Sequence, residues 1–222
     1  MSAGRLALGV IASGRGSNLQ AILDAVAAGR LDAEVRAVVS DVADAFALER
    51  ARTAGVPADF VDPKGPGGKA GFEERIVGRL REHGVSAVAL AGYMRVCGET
   101  LLAAFPGRIV NIHPSLLPAF PGLHVQRAAI DHGARFSGCT VHFVDAGVDT
   151  GPIIAPAVVP VRDGDTEESL AARILRQEHR VFPLALQLLA EGRLRIQGRR
   201  VLVDGRAPAA EDAALLNPPA DA

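Results

Sequence analysis

Short apolar runs alternate with longer amphipathic segments through the first half of the chain. The runs are bounded by Gly or polar residues and are apolar on both faces, as in buried parallel strands. They occupy residues 6–12, 35–39, 87–91 and 109–112. Helical spacing between them predicts helices over residues 18–28, 43–54 and 72–83. This alternation predicts an α/β fold with a Rossmann-like, doubly wound, mostly parallel sheet.

The pattern changes after Gly122. A helix is predicted over 124–132, and two strand-like runs within 139–161 predict an antiparallel C-terminal extension of the sheet. A long helix is predicted over 167–191, which Pro183 should kink or split, and two short runs around Gly198 predict a hairpin. Residues 207–222 are rich in Ala, Pro and Asp, which is typical of a disordered tail.

Composition and net charge limit the kinds of partner that the chain can bind. The 222 residues are 49% hydrophobic and 22% charged, with a net charge of −1, so we expect a folded chain that binds neither nucleic acid nor membrane through its overall charge. No signal peptide and no long apolar span is evident, which favours a cytoplasmic location. Cys97 and Cys139 lie far apart with no further ligand at metal spacing, so we expect no disulfide framework and no metal site.

The stretch SGRGSN at 13–18 follows the first strand and opens a helix. Gly14 and Gly16 let backbone N–H groups approach a ligand, and a helix N-terminus favours an anion such as phosphate. Leu19 stands where the dinucleotide fingerprint needs a third Gly. A tight structural turn is therefore the alternative to a phosphate site.

A second glycine-rich stretch, GPGGKAGF at 65–72, does not have the Walker spacing, because Pro63 and Ala70 stand at its required positions. Its composition predicts a flexible surface loop before a helix, with Lys69 as a mobile cation.

The stretch NIHPSLLPAFPG at 111–122 places Asn111 and His113 at the end of a predicted strand. Alternate residues point to one face of a sheet, and the carboxyl edge is where open α/β sheets bind ligands. An amide donor beside an imidazole suits a developing oxyanion. The alternative is that Asn111 caps a turn and His113 is a satisfied buried histidine.

The stretch DAGVDTGP at 145–152 carries two carboxylates in a glycine-flanked loop. A carboxylate close to His113 would favour the imidazolium, whereas a carboxylate in such a turn commonly makes an Asx turn. His142 could line the same cleft or simply pack. Glu178 and His179 are expected on an exposed helical face.

Together these stretches resemble the folate-dependent phosphoribosylglycinamide formyltransferases, which use an α/β formyltransferase fold. The resemblance covers most of the chain. It rests on SGRGSNLQAI at 13–22, ADAFALERARTAGV at 43–56, ALAGYMRV at 89–96, GRIVNIHPSLLPAFPGLH at 107–124, CTVHFVDAGVDTGPII at 139–154 and QEHRVFP at 177–183.

The resemblance implies a catalytic group of Asn111, His113 and Asp149 acting on the formyl group of 10-formyltetrahydrofolate, the co-substrate, with no metal. It implies further binding residues for both substrates. The ribonucleotide would contact Gly16, Ser17, Asn18 and Glu178, and the folate would contact Lys69, Met94, Arg95, Val96, Cys97 and Asn111.

It also implies one formyltransferase domain over 1–206, with a ribonucleotide phosphate-binding half (1–110) and a catalytic and folate half (111–206), in a chain able to form a homodimer. The alternatives are another 10-formyltetrahydrofolate enzyme, a hydrolase or a different formyltransferase, and a non-catalytic nucleotide-binding module. The hydrolase usually carries an extra N-terminal regulatory domain, and the tRNA-directed formyltransferase usually carries an extra C-terminal domain. We expect no room for either in 222 residues.

Overall fold

The structure is a computed structural model that describes residues 4–205. Within that range all strands join one sheet in the order β3-β2-β1-β4-β5-β6-β7-β9-β8. The strands are β1 (Leu6–Ile11), β2 (Ala33–Ser40), β3 (Ala58–Phe60), β4 (Ala87–Leu90), β5 (Ile109–His113), β6 (Phe136–Phe143), β7 (Ile153–Pro160), β8 (Leu194–Gln197) and β9 (Arg200–Val203). The helices are α1 (Ser17–Ala27), α2 (Phe46–Thr53), α3 (Gly68–Glu82), α4 (Glu99–Ala104), α5 (Val125–Asp131) and α6 (Glu167–Ala190).

The sheet has a parallel part and an antiparallel part. Strands β1 to β5 pair in parallel, β6 runs antiparallel to β5, and β7 runs antiparallel to β6. The antiparallel hairpin β8–β9 joins β7 through a parallel pairing of β9 with β7, at Ile153 and Arg200. The predicted α/β fold with its C-terminal extension is confirmed.

Hydrophobic side chains fill both faces of this sheet. One buried cluster lies under α1, α2, α5 and α6, where Leu19, Leu48 and Phe182 are almost fully inaccessible to solvent. The other lies under α3 and α4, with Ile76 and Leu101 at its centre. Burial on both faces explains why the parallel strands are apolar at consecutive positions.

The sequence predictions differ from the structure in two helices. The prediction of a flexible loop over 65–72 is wrong, because α3 already begins at Gly68. Gly67, the N-cap, has a left-handed φ of 84°, and Arg75 donates to the Pro66 carbonyl at 2.7 Å. Pro183 lies inside the continuous helix α6, so the expected split is also wrong.

Two short elements, β3 and α4, were not predicted. The predicted tail at 207–222 lies outside the described residues. No helix among residues 4–205 is both long and apolar enough to cross a membrane.

The order of the strands indicates at which edge of the sheet a ligand would bind. Strand β1 lies between β2 and β4, so the chain leaves β1 and β4 towards opposite faces of the sheet. In open α/β sheets a ligand crevice forms outside the carboxyl ends of the strands at such a switch point. The loops after β1, β4 and β5 meet there.

Candidate active site

A pocket of about 560 Å³ opens at the carboxyl edge, beside the ends of β4 and β5. The structure brings Asn111, His113 and Asp149 together in its wall. Four exposed apolar side chains also line it, an arrangement suited to a flat, partly apolar ligand. These side chains are Met94, Val96, Leu123 and Val148.

His113 is buried at the end of β5, with an acceptor close to each ring nitrogen. Its Nδ1 lies 3.3 Å from Asp149 Oδ2, and its Nε2 lies 3.0 Å from the carbonyl oxygen of Phe120. A carbonyl can only accept, so Nε2 carries a hydrogen. His113 Nδ1 faces the carboxylate, so a hydrogen on that nitrogen is placed to be donated to Asp149 Oδ2.

Asp149 is held from three sides. Besides His113, its Oδ2 accepts from the Gly122 N–H at 2.9 Å, and its Oδ1 lies 3.7 Å from His142 Nε2. Burial acts to raise the pKa of Asp149, but the interactions with His142, Gly122 and His113 outweigh it and hold the pKa below its usual value. The carboxylate therefore stays ionised beside two imidazoles.

The loop that carries Asp149 is tightly folded. Asp149 has a φ of 54°, an uncommon conformation for a residue with a side chain. Asp145 accepts from the Gly147 N–H at 3.1 Å and from the Thr150 hydroxyl at 2.6 Å, which makes it the Asx-turn residue. The two carboxylates of this loop thus differ, since Asp145 shapes the turn and Asp149 meets His113.

His142 belongs to this group, although the sequence left its place open between the cleft and simple packing. It faces Asn111 across the β5–β6 pairing, and its Nε2 lies 3.1 Å from Asn111 Nδ2. Its Nδ1 lies 2.8 Å from the Phe143 carbonyl oxygen, so Nδ1 donates there. Its Nε2 therefore lies between the Asn111 amide and the Asp149 carboxylate: without a hydrogen it accepts from Asn111, and with one it donates to Asp149.

The β4 loop (residues 91–97) forms another wall of the pocket and carries Met94, Arg95, Val96 and Cys97. The Met94 N–H donates to Ser13 Oγ at 3.0 Å, and the Ser13 N–H donates to the Gly92 carbonyl at 3.0 Å. Ser13 therefore ties the β4 loop to the loop after β1.

Arg95 anchors the same loop from its other side. Its Nε lies 2.7 Å from Asp41 Oδ2, at the end of β2, and its guanidinium lies 5.5 Å from the centre of the Phe72 ring. Cys97 is buried, and burial raises the pKa of its thiol to about 12. The β4 loop thus presents its backbone to the pocket from a fixed position.

The β1 loop (residues 12–16) precedes α1. Gly16 has a φ of 68°, and a Cβ there would lie 2.7 Å from the Ala47 Cα, so only Gly fits. Helix α1 begins at Ser17 with no side-chain cap, which leaves its first N–H groups pointing to the ligand edge.

Asn18, in the first turn of α1, connects that helix to α6. Its Nδ2 donates to Glu178 Oε2 at 2.7 Å, and both side chains are buried. The expectation that Glu178 lies on an exposed helical face is wrong, because this side of α6 packs on α1. Burial raises the pKa of Glu178, and the hydrogen bond from Asn18 opposes it only partly.

Lys69 lies apart from the catalytic pocket. It lines a neighbouring cavity of about 430 Å³ together with Phe72 and Glu73. The two cavities share Tyr93, Arg95 and Val96 in their walls. Among the described residues, no group of three or more His, Cys, Asp or Glu side chains is arranged to hold a metal ion.

Comparison with known proteins identifies the family. The formyl transferase family matches residues 7–186. Phosphoribosylglycinamide formyltransferase of Escherichia coli strain K12 is 41% identical over 197 residues, covering 89% of this chain and 93% of that protein. The trifunctional purine biosynthetic protein adenosine-3 of Drosophila pseudoobscura pseudoobscura is 46% identical over 88% of this chain, which spans 14% of that longer protein.

Solved structures agree. The crystal structure of glycinamide ribonucleotide transformylase 1 from Symbiobacterium toebii has a TM-score of 0.88 and 56% identity, covering 90% of this chain and 94% of that one. The chain therefore belongs to the formyl transferase family, among the phosphoribosylglycinamide formyltransferases.

Proposed function

We propose that this chain transfers the formyl group of 10-formyltetrahydrofolate to the amine of 5-phosphoribosylglycinamide, and that Asn111, His113 and Asp149 form its catalytic group. The products are formylglycinamide ribonucleotide and tetrahydrofolate, in de novo purine biosynthesis. The observation that carries the proposal is the Asp149 carboxylate 3.3 Å from His113, beside Asn111 in one pocket.

The folate lies in the catalytic pocket in this proposal. Its pterin edge hydrogen-bonds the backbone of residues 94–97 and the Asn111 side chain. Its apolar faces contact the four exposed apolar side chains that line the pocket. Lys69 meets the folate glutamate from the neighbouring cavity, which shares a wall with the pocket.

The ribonucleotide approaches from the β1 side. Its phosphate binds the backbone N–H groups at Gly16, Ser17 and Asn18, which the N-terminus of α1 presents. Its glycinamide end lies towards Glu178, whose carboxyl group already accepts from Asn18. The two substrates then meet over the end of β5.

The reaction needs oxyanion stabilisation and a proton path. The amine attacks the formyl carbon, a C–N bond forms, and the carbonyl oxygen becomes negative. An amide nitrogen carries two hydrogens, so Asn111 can donate to His142 and to this oxygen at once. The His113 Nε2–H, which lies 3.0 Å from the Phe120 carbonyl oxygen, turns to the oxyanion, a stronger acceptor.

Collapse of the tetrahedral intermediate breaks the bond to the folate nitrogen, and the proton of the attacking amine ends on that nitrogen. Asp149 keeps His113 charged during this transfer and assists it. No protein nucleophile is required, because an amine is already nucleophilic. The two thiols are unsuited to that role, since burial raises the pKa of Cys97 and of Cys139 to about 12.

The direct test is turnover by the purified chain with both substrates, following tetrahydrofolate release. Release that depends on the ribonucleotide supports the proposal. Release that proceeds equally without the ribonucleotide would make the chain a hydrolase, and binding without turnover would make it a nucleotide-binding module.

The role of Asp149 is tested by Asp149→Asn, with the exposed Asp131→Asn on α5 as the matched control. We expect the loss of Asp149 to lower kcat on the order of 100-fold or more, because the imidazolium loses its counter-charge. Wild-type kcat in a folded Asp149→Asn protein would overturn the assignment.

A homodimer and a cytoplasmic location remain predictions. Sedimentation equilibrium tests the first, and cell fractionation tests the second.

A further inference from the structure

We propose that Arg50, on α2, is a positioning residue that aims the backbone N–H groups of the β1 loop at the substrate phosphate. Its Nε donates to the Arg15 carbonyl oxygen at 2.9 Å, and its Nη1 donates to Gln20 Oε1 at 2.9 Å. One guanidinium therefore holds both the β1 loop and the first turns of α1. This inference rests on the proposed function for its ligand.

The direction of the N–H groups follows from peptide geometry. The Arg15 carbonyl points to Arg50, and the Gly14 carbonyl accepts from the Ala47 N–H at 3.1 Å, so α2 binds two consecutive carbonyls. In a trans peptide the C=O and N–H point in opposite directions. The N–H groups of Arg15 and Gly16 consequently both point away from α2.

Consecutive N–H groups on one side of the backbone form an anion-binding concavity. Here that concavity continues into the uncapped N-terminus of α1. An Arg15 peptide free to rotate would turn one of these donors away and present a carbonyl oxygen, which repels phosphate. Arg50 prevents this rotation without touching the ligand.

The guanidinium is itself held in place. It lies 4.8 Å from the centre of the Phe46 ring, one turn earlier on α2, and Gln20 is fixed by a hydrogen bond to Asp24 at 2.9 Å. A planar fork can donate to two acceptors at fixed angles, which a lysine ammonium cannot reproduce.

A separate observation indicates that a ligand binds beside this loop, at the first turn of α1. Asn18 Oδ1 is buried and has no hydrogen-bond partner among the described residues, although Asn18 Nδ2 is bonded to Glu178. An unpaired buried acceptor is costly, so a donor on the bound substrate is the natural partner. Arg50 thus supports a loop that is built to receive a ligand.

The test compares Arg50→Met and Arg50→Lys with Arg52→Met, an exposed arginine on the same helix. Calorimetry measures the Kd for the phosphorylated ligand, 5-phosphoribosylglycinamide, and for the same riboside without phosphate. We expect Arg50→Met to weaken binding of the phosphorylated ligand on the order of tenfold, the worth of one charge-assisted hydrogen bond. Arg50→Lys should weaken it less, and Arg52→Met should match wild type.

The other readouts separate positioning from general damage. The Kd for the riboside and the KM for the formyl-folate co-substrate should stay within about twofold of wild type in all three variants, as expected for a local change. Equal weakening of both ribosides, or wild-type Kd values in Arg50→Met, would overturn the inference. If Arg50→Met does not fold, the same comparison is made on Arg50→Lys. Failure of the wild-type chain to prefer the phosphorylated riboside would instead contradict the proposed function.

Discussion

The β1 loop and the catalytic pocket lie at the same edge of the sheet, yet they are built in different ways. The β1 loop offers backbone N–H groups, and its key position, Gly16, acts by having no side chain. The pocket offers side chains, Asn111, His113, His142 and Asp149, brought together from two strands and a loop. A single stretch of sequence supplies the donors of one site, whereas the fold brings together the side chains of the other.

This difference suits the chemistry proposed for each region. A phosphate carries its charge throughout the reaction and needs a fixed array of donors. A formyl transfer creates charge and moves a proton, which calls for ionisable groups whose protonation can change. Mutations should therefore separate the two regions, with changes in the pocket acting on rate and changes in the β1 loop acting on binding.

The largest effect should come from His113→Ala. Loss of this donor is expected to lower kcat by about 10² to 10³, the usual value of an oxyanion donor. The Kd for the ribonucleotide substrate should be unchanged, because the phosphate is held at the β1 loop. Steady-state kinetics and calorimetry provide the check, with His83→Ala at the end of α3 as the control. A loss of affinity equal to the loss of rate would remove the distinction between the regions.

The second largest effect is expected from Gly16→Ala. The added Cβ meets the Ala47 Cα at 2.7 Å, and the positive φ strains any residue with a side chain. Strain and overpacking together should lower the free energy of unfolding by about 2 to 5 kcal/mol and raise the KM for the ribonucleotide. Gly29→Ala is the matched control, since Gly29 has a φ of 67° but nothing within 4 Å of its Cβ. Equal melting temperatures for the two variants would show that α2 does not confine Gly16.

The third effect concerns the pH profile. Because the interaction with His142 lowers the pKa of Asp149, His142→Phe should raise that pKa. Asp149 must be ionised to act, so the acid limb of kcat/KM should move to higher pH. The maximum should also fall about tenfold, because the Asn111 amide loses the neighbouring ring that orients it. An acid limb at the wild-type position would mean that His142 does not act on Asp149.

The smallest effect is Glu178→Gln, which tests the link between α6 and the β1 loop. The pKa of Glu178 is raised in the folded protein, so the folded state holds this proton more tightly than the unfolded state does. The associated stability is complete below about pH 4.5, the ordinary value, and is lost as pH rises through the folded pKa.

A Gln side chain cannot ionise, so the Glu178→Gln variant does not lose this stability as the pH rises. Glu178→Gln should therefore melt a few degrees higher than wild type at pH 8, about 2 to 4 °C for each 1 kcal/mol, and this gain should vanish below pH 4.5. A gain that is the same at both pH values would contradict the raised pKa.

The contrast between the β1 loop and the catalytic pocket also explains which features could be predicted from the sequence. The parallel strands and the β1 loop are local features, since apolar runs and two glycines beside a strand identify them. The contact of His113 with Asp149 joins residues 36 positions apart, and it depends on a strand pairing and a turn that no local pattern determines. The family resemblance predicted their grouping, and the residues alone left it open.

His142 shows the limit most clearly. It alternates with Thr140 along β6, and this spacing is equally consistent with a side chain that packs in the core and with one that lines the pocket. Its importance comes from the register that sets it opposite Asn111, and a shift of one residue would turn it to the other face of the sheet. The prediction of an exposed face for Glu178 is wrong for a similar reason, because only the packing of α6 on α1 reveals which face of that helix is covered.

Ser13 has a consequence for protein engineering. Its N–H and its hydroxyl join the β1 loop to the β4 loop, so the two substrate-binding loops are fastened to each other as well as to their own strands. A designer who transplants the phosphate-binding segment into another sheet would lose this fastening. The smallest transferable module is the adjacent pair of strands β1 and β4 with both loops attached, together with α1 and α2, because α2 binds the carbonyls of the β1 loop.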